Sequence, residues 1–466
     1  MKKNRMESGL LPWVIFIVVV LAYASYPEVK AIKTTEPETL YQSLAEGFLS
    51  GQLNLSIVPN QDLLQLANPY DPLQNHLYRV HDVSLYQGKY YLYFSPLPVL
   101  LVYLPVTWLT GIFPPDGLVA LLFLSLAFAS NLTLFRQIIT RYFPNTSEVE
   151  FTLFAFALAF ANGAPFLFST PRVYEIAIAT AFCFASFALF FLYRALTRES
   201  KLSDVGLFSL CLSLAVAARP HFALGCVILF PALFFYMRTQ DAEKKWRARG
   251  LALLLPAMAV AACLLAYNWF RFGSVFDTGH YWQLSCTNIQ KLYLELHDWT
   301  KIPRNLWFSF YYYFLQPFTF HFKRPFFGLV LHNCYYFIDK DYFLEAVAGV
   351  LTTMPFILIL GTLPQLLPFY IKKEPEKKPL LVFVSFALII PLTNALFLLT
   401  LPFALQRYEV DFAPYLVLLA LITFFLVKVR WGGARWFKGF NKAFCLLLFL
   451  DSLLGLCLGY AYWVFF

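Results

Sequence analysis

The sequence predicts an all-α polytopic membrane protein with about eleven transmembrane helices, and three observations lead to this fold class. Hydrophobic residues make up 59% of the 466-residue chain, whereas charged residues make up only 14%. Apolar runs of roughly 17–25 residues, the length that crosses the hydrocarbon core, recur along the whole chain. Lys and Arg cluster in the short segments between these runs. The composition excludes a soluble domain, and the clustering indicates membrane topology rather than nucleic-acid binding, although the net charge is +9.

The predicted spans follow the apolar runs in chain order. They lie near residues 10–26, 117–135, 151–168, 173–193, 205–218, 221–237, 251–269, 346–370, 379–401, 412–428 and 443–464. The first run resembles a signal peptide ending near Ala22-Tyr23-Ala24, but a retained first helix is the preferred interpretation. A further run, residues 96–113, contains three prolines. Because one more crossing would put Arg136 and Arg141 on the outer side, this run is predicted to be a juxtamembrane or re-entrant helix.

The basic segments also predict the orientation of the chain. The positive-inside rule places them, and the N-terminus, in the cytoplasm. Two long loops, residues 27–116 and 270–344, then face the extracytoplasmic side of a single transmembrane domain, residues 1–466. We therefore expect a multi-pass protein of the plasma membrane, the inner membrane of a bacterium. Cys286 and Cys334 both fall in the second loop, where a disulfide and two free thiols are equally compatible with the sequence.

The first outer loop concentrates the residues that could carry chemistry. Glu36 and Glu38 stand just past the first span, before an amphipathic helix in which Leu40, Leu44 and Phe48 have helical spacing. Charged and titratable residues then follow within a short stretch: Asp71, Arg79, His81, Asp82 and Lys89. A carboxylate at the membrane surface can remove a proton from an acceptor hydroxyl, and Arg or Lys can bind a departing phosphate. The loop is therefore predicted to form a reaction site.

Two motifs of this loop, "EPETLYQSLAEGFLSGQL" and "HDVSLYQGKYYLYFSPLP", resemble those of the C-type-fold (GT-C) membrane glycosyltransferases. That group contains the protein O-mannosyltransferases and the lipid A aminoarabinose transferase. The resemblance is strongest over residues 34–115. It implies a polyprenyl-phosphate-linked sugar as donor, no cofactor, and catalysis on the extracytoplasmic face. Such a donor has no diphosphate for a metal to hold, so no metal is predicted, although "DKD" at 339–341 resembles a metal-binding pattern.

The resemblance leaves the identity of the base open. Members of the group usually carry Asp-Glu after the first span, whereas this chain has Pro37-Glu38. Glu36, Glu38, Asp71 and Asp82 therefore compete for the role of general base, with Glu38 favoured by position and Asp82 as the second acidic site. A helix N-terminus explains the two glutamates equally well, and a turn explains Asp71 and Asp82.

Cationic residues of the outer segments are the candidates for binding substrate or phosphate. They are Lys89, Arg79, His81, Arg172, Arg219, Arg271 and Arg407. Arg219 lies between two short apolar runs, and no acidic residue is near it in the sequence. Because a charge close to the hydrocarbon core usually has a partner or a ligand, Arg219 is the hardest of these residues to explain as purely structural. Arg172 could instead have a purely structural role by pairing with Glu175, one helical turn away. Arg271 and Arg407 lie at the outer ends of spans and could simply extend their charged ends to the membrane surface.

The sequence thus predicts a membrane glycosyltransferase that moves a sugar from a polyprenyl-phosphate donor to a hydroxyl of a glycan, lipid or protein acceptor. A transporter or flippase of lipid-linked sugars is the alternative. Transporters usually carry charges near the midplane and related halves, and this chain has few mid-span charges and no internal repeat. The expected partners are the lipid-linked donor, the acceptor and membrane lipids, with no nucleic acid.

Overall fold

α-Helices form nearly all of the regular structure in the computed structural model, which describes residues 9–29, 38–197, 201–240, 245–296, 299–318, 336–339, 342–345 and 347–460. In chain order they are α1 (Leu11–Ala24), α2 (Leu40–Leu49), α3 (Gln61–Leu64), α4 (Pro72–Asn75), α5 (Leu104–Thr110), α6 (Asp116–Tyr142), α7 (Glu148–Phe160), α8 (Val173–Thr197), α9 (Leu202–Ala218), α10 (Ala223–Thr239), α11 (Trp246–Phe272), α12 (Ile289–Leu296), α13 (Ile302–Phe310), α14 (Val350–Thr353), α15 (Leu363–Lys373), α16 (Lys378–Ala387), α17 (Ile389–Thr400), α18 (Ala413–Trp431) and α19 (Phe437–Leu458).

Short strands and short 3₁₀ or π segments lie between the α-helices or extend them. The strands are β1 (Val83–Tyr86), β2 (Lys89–Tyr91), β3 (Gln283–Leu284), β4 (Tyr336–Asp339), β5 (Tyr342–Leu344) and β6 (Phe403–Ala404). The 3₁₀ turns are Pro27–Val29, Ala164–Phe168, Pro220–Phe222, His280–Trp282, Trp299–Lys301, Pro355–Thr362, Pro375–Lys377 and Gln406–Asp411, and the π turns are Val99–Tyr103 and Tyr311–Leu315.

Eight helical stretches of the described residues are long and apolar enough to cross a membrane. They are Asp116–Tyr142, Val173–Thr197, Pro220–Thr239, Trp246–Phe272, Pro355–Lys373, Pro375–Thr400, Ala413–Trp431 and Phe437–Leu458. Shorter apolar helices cover Leu11–Ala24, Val99–Thr110 and Leu202–Ala218. The predicted all-α polytopic membrane fold is confirmed. The predicted span 151–168 differs, because there the chain forms the shorter α7 and then the 3₁₀ turn Ala164–Phe168, and neither is among these apolar helices. The proline-rich run is a helix of about 18 Å at 1.5 Å per residue, too short to cross.

Close helix contacts and stacked aromatic rings hold the bundle together. Phe424 of α18 stacks on Phe444 of α19 with ring centroids 4.5 Å apart. The backbones of α19 and α7 approach so closely that a Cβ on Gly455 would lie 1.8 Å from the carbonyl oxygen of Phe160. Small residues allow such approaches between membrane helices, where van der Waals packing rather than the hydrophobic effect drives association. On α11, in contrast, apolar side chains such as Met258 point outward, as expected for contact with lipid.

Two small sheets join the outer connections to one another and thereby position the site. The first sheet has the order β2-β1-β3, and it pairs Ser84 of the first outer loop with Gln283 of the second. Ser84 Oγ donates a hydrogen bond to the carbonyl oxygen of Gly279 at 2.8 Å. The hairpin between β1 and β2 turns at Gln87 and Gly88, both with positive φ, as a tight two-residue hairpin requires.

The second sheet has the order β4-β5-β6 and joins the end of the second outer loop to the connection before α18. β5 and β6 pair in parallel, with Phe343 opposite Phe403 and Leu344 opposite Ala404. Residues that follow these two strands therefore emerge side by side. This pairing brings Glu345 next to the 3₁₀ turn Gln406–Asp411, whose arginine is described below.

Candidate active site

Asp82 is a buried carboxylate held by both outer loops. It precedes β1 with φ of 58°, a conformation that Asp tolerates better than most residues, and its N–H donates to the carbonyl oxygen of Leu284 at 2.8 Å. Asp82 is 7% exposed, and its Oδ1 accepts a hydrogen bond from Gln283 Nε2 at 2.6 Å. Its Oδ2 lies 3.4 Å from Nε2 of His81. Burial raises the pKa of Asp82 despite the opposing effects of His81 and Arg407, so this carboxylate is more basic than an exposed one.

Arg407 lies in the 3₁₀ turn Gln406–Asp411 and is held between two glutamates. Its Nη1 and Nη2 donate to the carboxylate of Glu345 at 2.7 and 3.3 Å, and Nη1 lies 3.7 Å from Glu175 Oε1. The guanidinium stacks over the ring of Tyr174 at 4.8 Å. Burial opposes its charge, but the two glutamates raise the pKa of Arg407 further above its ordinary value. Its Nε is buried and has no hydrogen-bond partner among the described residues, which leaves one donor unused.

Arg219 occupies the break between α9 and α10, where Pro220 ends the helical hydrogen-bond ladder. Its Nη2 donates to Asp411 Oδ2 at 2.5 Å, and its guanidinium lies 4.4 Å from the centre of the Tyr408 ring. His221 Nε2 lies 3.4 Å from the same carboxylate oxygen. Burial alone would raise the pKa of Asp411, but Arg219 and His221 hold it below its usual range. The Nε of Arg219, like that of Arg407, finds no partner in the described part of the chain.

Tyr93, which follows β2, links the carboxylate to the two arginines. Burial raises the pKa of Tyr93 well above its usual value, the negative charge of Asp82 raises it further, and Arg407 and Arg219 act in the opposite direction. All three charged residues are therefore within electrostatic reach of one phenol. The Tyr93 ring also meets that of His280 edge to face, with centroids 5.4 Å apart. Asp82, Arg219 and Arg407 thus all influence one phenol, although they come from three distant parts of the sequence.

No protein-family model and no curated protein matches the chain. Among solved structures, the chain is similar to ArnT from Cupriavidus metallidurans bound to undecaprenyl phosphate. The match has 13% sequence identity and a TM-score of 0.45, and it covers 94% of this chain and 64% of ArnT. It is also similar to the archaeal oligosaccharyltransferase AglB from Archaeoglobus fulgidus in complex with an inhibitory peptide and a dolichol-phosphate. That match has 12% sequence identity and a TM-score of 0.47, and it covers 98% of this chain and 56% of AglB.

The chain therefore spans less than two thirds of the length of either protein.

The other described candidate acids differ from Asp82 in their exposure and in their hydrogen-bond partners. Glu38 is exposed, and its carboxylate makes no hydrogen bond or ion pair with a described residue, while its N–H donates to Gln42 Oε1 at 2.7 Å and helps to cap α2. Asp71 caps α4 by accepting from the N–H of Leu73 at 3.0 Å, which is the turn role anticipated as its alternative. Glu36 lies outside the described residues.

The remaining candidate cations differ in how they are used. Arg79 donates to Asn75 Oδ1 at 2.6 Å and lies close enough to Asp82 to lower its pKa. Lys89 is exposed on β2, and Arg172 is exposed at the start of α8. Arg271 is buried and donates to the carbonyl oxygen of Leu92 at 2.7 Å, so it ties α11 to the first outer loop.

Sequence reasoning did not identify several residues of this region. Gln283, Glu345 and Asp411 each act on a site residue from at least 62 positions away, so local spacing in the sequence does not reveal these pairs. Asp116, at the start of α6, accepts hydrogen bonds through Oδ1 from Thr39 Oγ1 at 3.0 Å and Tyr103 OH at 2.5 Å. The preceding prolines, which commonly open a helix, were the only signal for Asp116.

No group of three or more His, Cys, Asp or Glu side chains in the described part of the chain could hold a metal ion. Lys340 and Asp341 of the "DKD" pattern lie outside the described residues, as does Cys334. Cys286 is exposed.

Proposed function

We propose that the protein is a membrane glycosyltransferase that moves a sugar from a polyprenyl-phosphate donor to an acceptor hydroxyl. The observation that carries the proposal is the buried carboxylate of Asp82, held by Gln283 and within electrostatic reach of Arg407, together with the influence of Asp82, Arg407 and Arg219 on the one phenol of Tyr93. A basic carboxylate and two arginines with unused N–H groups are what an acceptor hydroxyl and a leaving phosphate require. The reaction site then lies on the extracytoplasmic face, as the distribution of Lys and Arg favours.

In the proposed reaction, Asp82 removes the proton of the acceptor hydroxyl as its oxygen attacks the anomeric carbon of the donor. The bond between that carbon and the phosphate oxygen breaks, and the phosphate leaves with the electron pair. One displacement inverts the anomeric configuration. Because lipid anchoring holds the donor beside the base, the encounter of donor and acceptor becomes a positioned event rather than a diffusive one.

Arg407 and Arg219 neutralise the departing phosphate in this scheme. The guanidinium of Arg407 already binds a carboxylate in a forked arrangement, the geometry that also suits two phosphate oxygens. A donor phosphate would share or replace Glu345, whose side chain is 22% exposed and therefore free to shift. Glu175 is 3% exposed and would remain as the fixed counter-charge of Arg407.

The other candidates have secondary roles. Arg79, His81 and Lys89 belong to the same segment as Asp82 and would face the acceptor or the phosphate. Glu38 is the alternative base, since it directly precedes the helix that approaches Asp116 through Thr39. Its side chain is exposed, whereas that of Asp82 is buried.

The test uses the full chain in liposomes, with a panel of undecaprenyl-phosphate-linked hexoses and pentoses as donors and a cell-envelope extract as acceptor. We expect release of undecaprenyl phosphate together with appearance of the sugar on an acceptor, with inverted anomeric configuration by NMR. Counterflow of labelled donor across the liposome membrane without release of undecaprenyl phosphate would instead identify a transporter and refute the proposal.

A further inference from the structure

We infer that Gln283 is a positioning residue for Asp82, and that its amide determines which oxygen of the carboxylate takes up the proton. The inference rests on the proposed function, because it concerns the same proton transfer. Gln283 itself touches neither donor nor acceptor in this scheme. It acts through the hydrogen bond from Nε2 to Asp82 Oδ1, which at 2.6 Å is short for an amide donor.

The contact is buried and well defined on both sides. Gln283 and Asp82 are each 7% exposed. The register of β1 and β3 sets Gln283 opposite Ser84, and the next residue, Leu284, accepts the N–H of Asp82 at 2.8 Å. Consecutive residues of β3 therefore hold the main chain and the side chain of Asp82. A positive φ at a residue other than glycine persists only when its surroundings fix it in this way.

The chemistry of the amide suits this role. A Gln side chain has no proton to lose and no site to gain one at neutral pH, so it occupies Oδ1 without competing for the proton of an acceptor. The proton must then go to Oδ2, the oxygen that lies 3.4 Å from His81. The His81 side chain beside Oδ2 is 55% exposed.

Stability does not explain why Gln283 is present. Its Oε1 is buried and accepts no hydrogen bond from the described residues, so Gln283 leaves one polar atom unsatisfied in order to donate one bond. An unmade buried hydrogen bond costs about as much as a made one contributes. The contact therefore adds little net stability, and its effect falls on the orientation and basicity of Asp82.

Several other groups face Asp82 and must stay unchanged in any test of this role. They are His81 and Arg79 from its own loop, Tyr93 beyond β2, and Arg407 before α18. Because none of them contacts Gln283 through a described hydrogen bond, a substitution at position 283 changes the Oδ1 contact alone.

The test compares Gln283→Leu and Gln283→Glu with Ser84→Ala in the full chain. Ser84→Ala removes a different hydrogen bond across the same junction of β1 with the second outer loop, so it is the matched control for loosening that junction. The measurement is the pH dependence of undecaprenyl-phosphate release from the donor of the panel that reacts fastest, and the apparent melting temperature confirms folding.

We expect the acid limb of the profile of Gln283→Leu to move upward by about one pH unit, because the hydrogen bond that favours the charged carboxylate is lost. Gln283→Glu should move it further, because a like charge then lies beside Asp82. Ser84→Ala should leave the limb in place. An unmoved acid limb in both Gln283 variants, or an equal shift in Ser84→Ala, would overturn the inference.

Failure of the inference is distinguishable from failure of the proposed function. If Asp82→Asn abolishes transfer while both Gln283 variants keep the native pH profile, only the positioning role is refuted. If Asp82→Asn transfers sugar at the native rate, Asp82 is not the base and the inference is refuted with it. If Gln283→Leu does not fold, the isosteric Gln283→Glu still decides the matter.

Discussion

Replacing Asp82 with Asn changes the proposed base and almost nothing else. Asn has the same shape, tolerates the positive φ at this position as well as Asp does, and keeps a carbonyl oxygen that can accept from Gln283 Nε2. The oxygen that faces His81 becomes an amide nitrogen, which cannot take up a proton. Any loss of transfer in this variant therefore measures proton removal rather than damage to the fold.

The size of the expected loss follows from that role. General-base catalysis contributes typically 10²–10⁴-fold, so kcat should fall by about that factor, roughly 3–5 kcal/mol in the activation barrier. Binding of the donor should change little, because Arg407 and Arg219 interact with other partners, Glu345 and Asp411. The KM for the donor should accordingly remain within about twofold of the native value.

Stability should change in the opposite direction to activity. Burial raises the pKa of Asp82, so the folded protein binds this proton more tightly than the unfolded chain does. Stability from this group is then present at low pH and declines as the pH rises from the ordinary carboxyl range through the folded pKa. Asn has no such penalty. The apparent melting temperature of Asp82→Asn, relative to the native protein, should increase from about pH 4 to about pH 8.

The assay combines initial rates of undecaprenyl-phosphate release with thermal unfolding in detergent across this pH range. Loss of transfer together with a gain in melting temperature at high pH would be specific to a buried base. Native transfer rates in Asp82→Asn would refute the reasoning. So would a melting temperature that falls relative to the native protein as the pH rises, since the carboxylate would then be stabilised by its surroundings.

Two further predictions address the phosphate site and the bundle. Arg407→Lys keeps a positive charge beside Glu345 but loses the forked guanidinium, so it should weaken binding of undecaprenyl phosphate in nanodiscs by about tenfold. Arg430→Lys, at the far end of α18, is the control and should leave this binding unchanged. Equal losses of binding in the two variants would contradict the phosphate role of Arg407. Gly455→Ala should lower the apparent melting temperature, since its Cβ would lie 1.8 Å from a backbone oxygen and overpacking costs about 1–3 kcal/mol. Gly439→Ala, with nothing within 4 Å, is the control, and equal melting temperatures would show that α19 and α7 are not in close contact.

The positions of the spans could be predicted from the sequence because they depend on local composition. An apolar run long enough to cross a bilayer has few alternatives in lipid, where the backbone must satisfy its own hydrogen bonds. The shortness of the helix at Val99–Thr110 was also predictable, since its prolines and the parity of the basic segments both argued against a crossing. Hydropathy and charge carry this information within about twenty residues.

The partners of the site residues could not be predicted, because they are distant in sequence. Arg219 was recognised as a charge in need of a partner, but Asp411 is 192 positions away. Glu38 was favoured because of its place after the first span, whereas its side chain is exposed. Asp82 was ranked second among the acids because nothing in the sequence indicated its burial. That burial depends on the pairing of β1 with β3, and β3 is only two residues long and has no recognisable sequence pattern. Pairing of such short strands is decided by the tertiary fold.

The joining of the two outer loops through β1 and β3 has a consequence for biosynthesis. Asp82 leaves the ribosome 201 residues before Gln283, so on a nascent chain its carboxylate lacks this partner until the second outer loop has been made. Insertion of the early helices and acquisition of activity are therefore separate events in time. In the proposed mechanism, a chain that stops short of residue 283 also lacks Arg407 and would therefore be inactive.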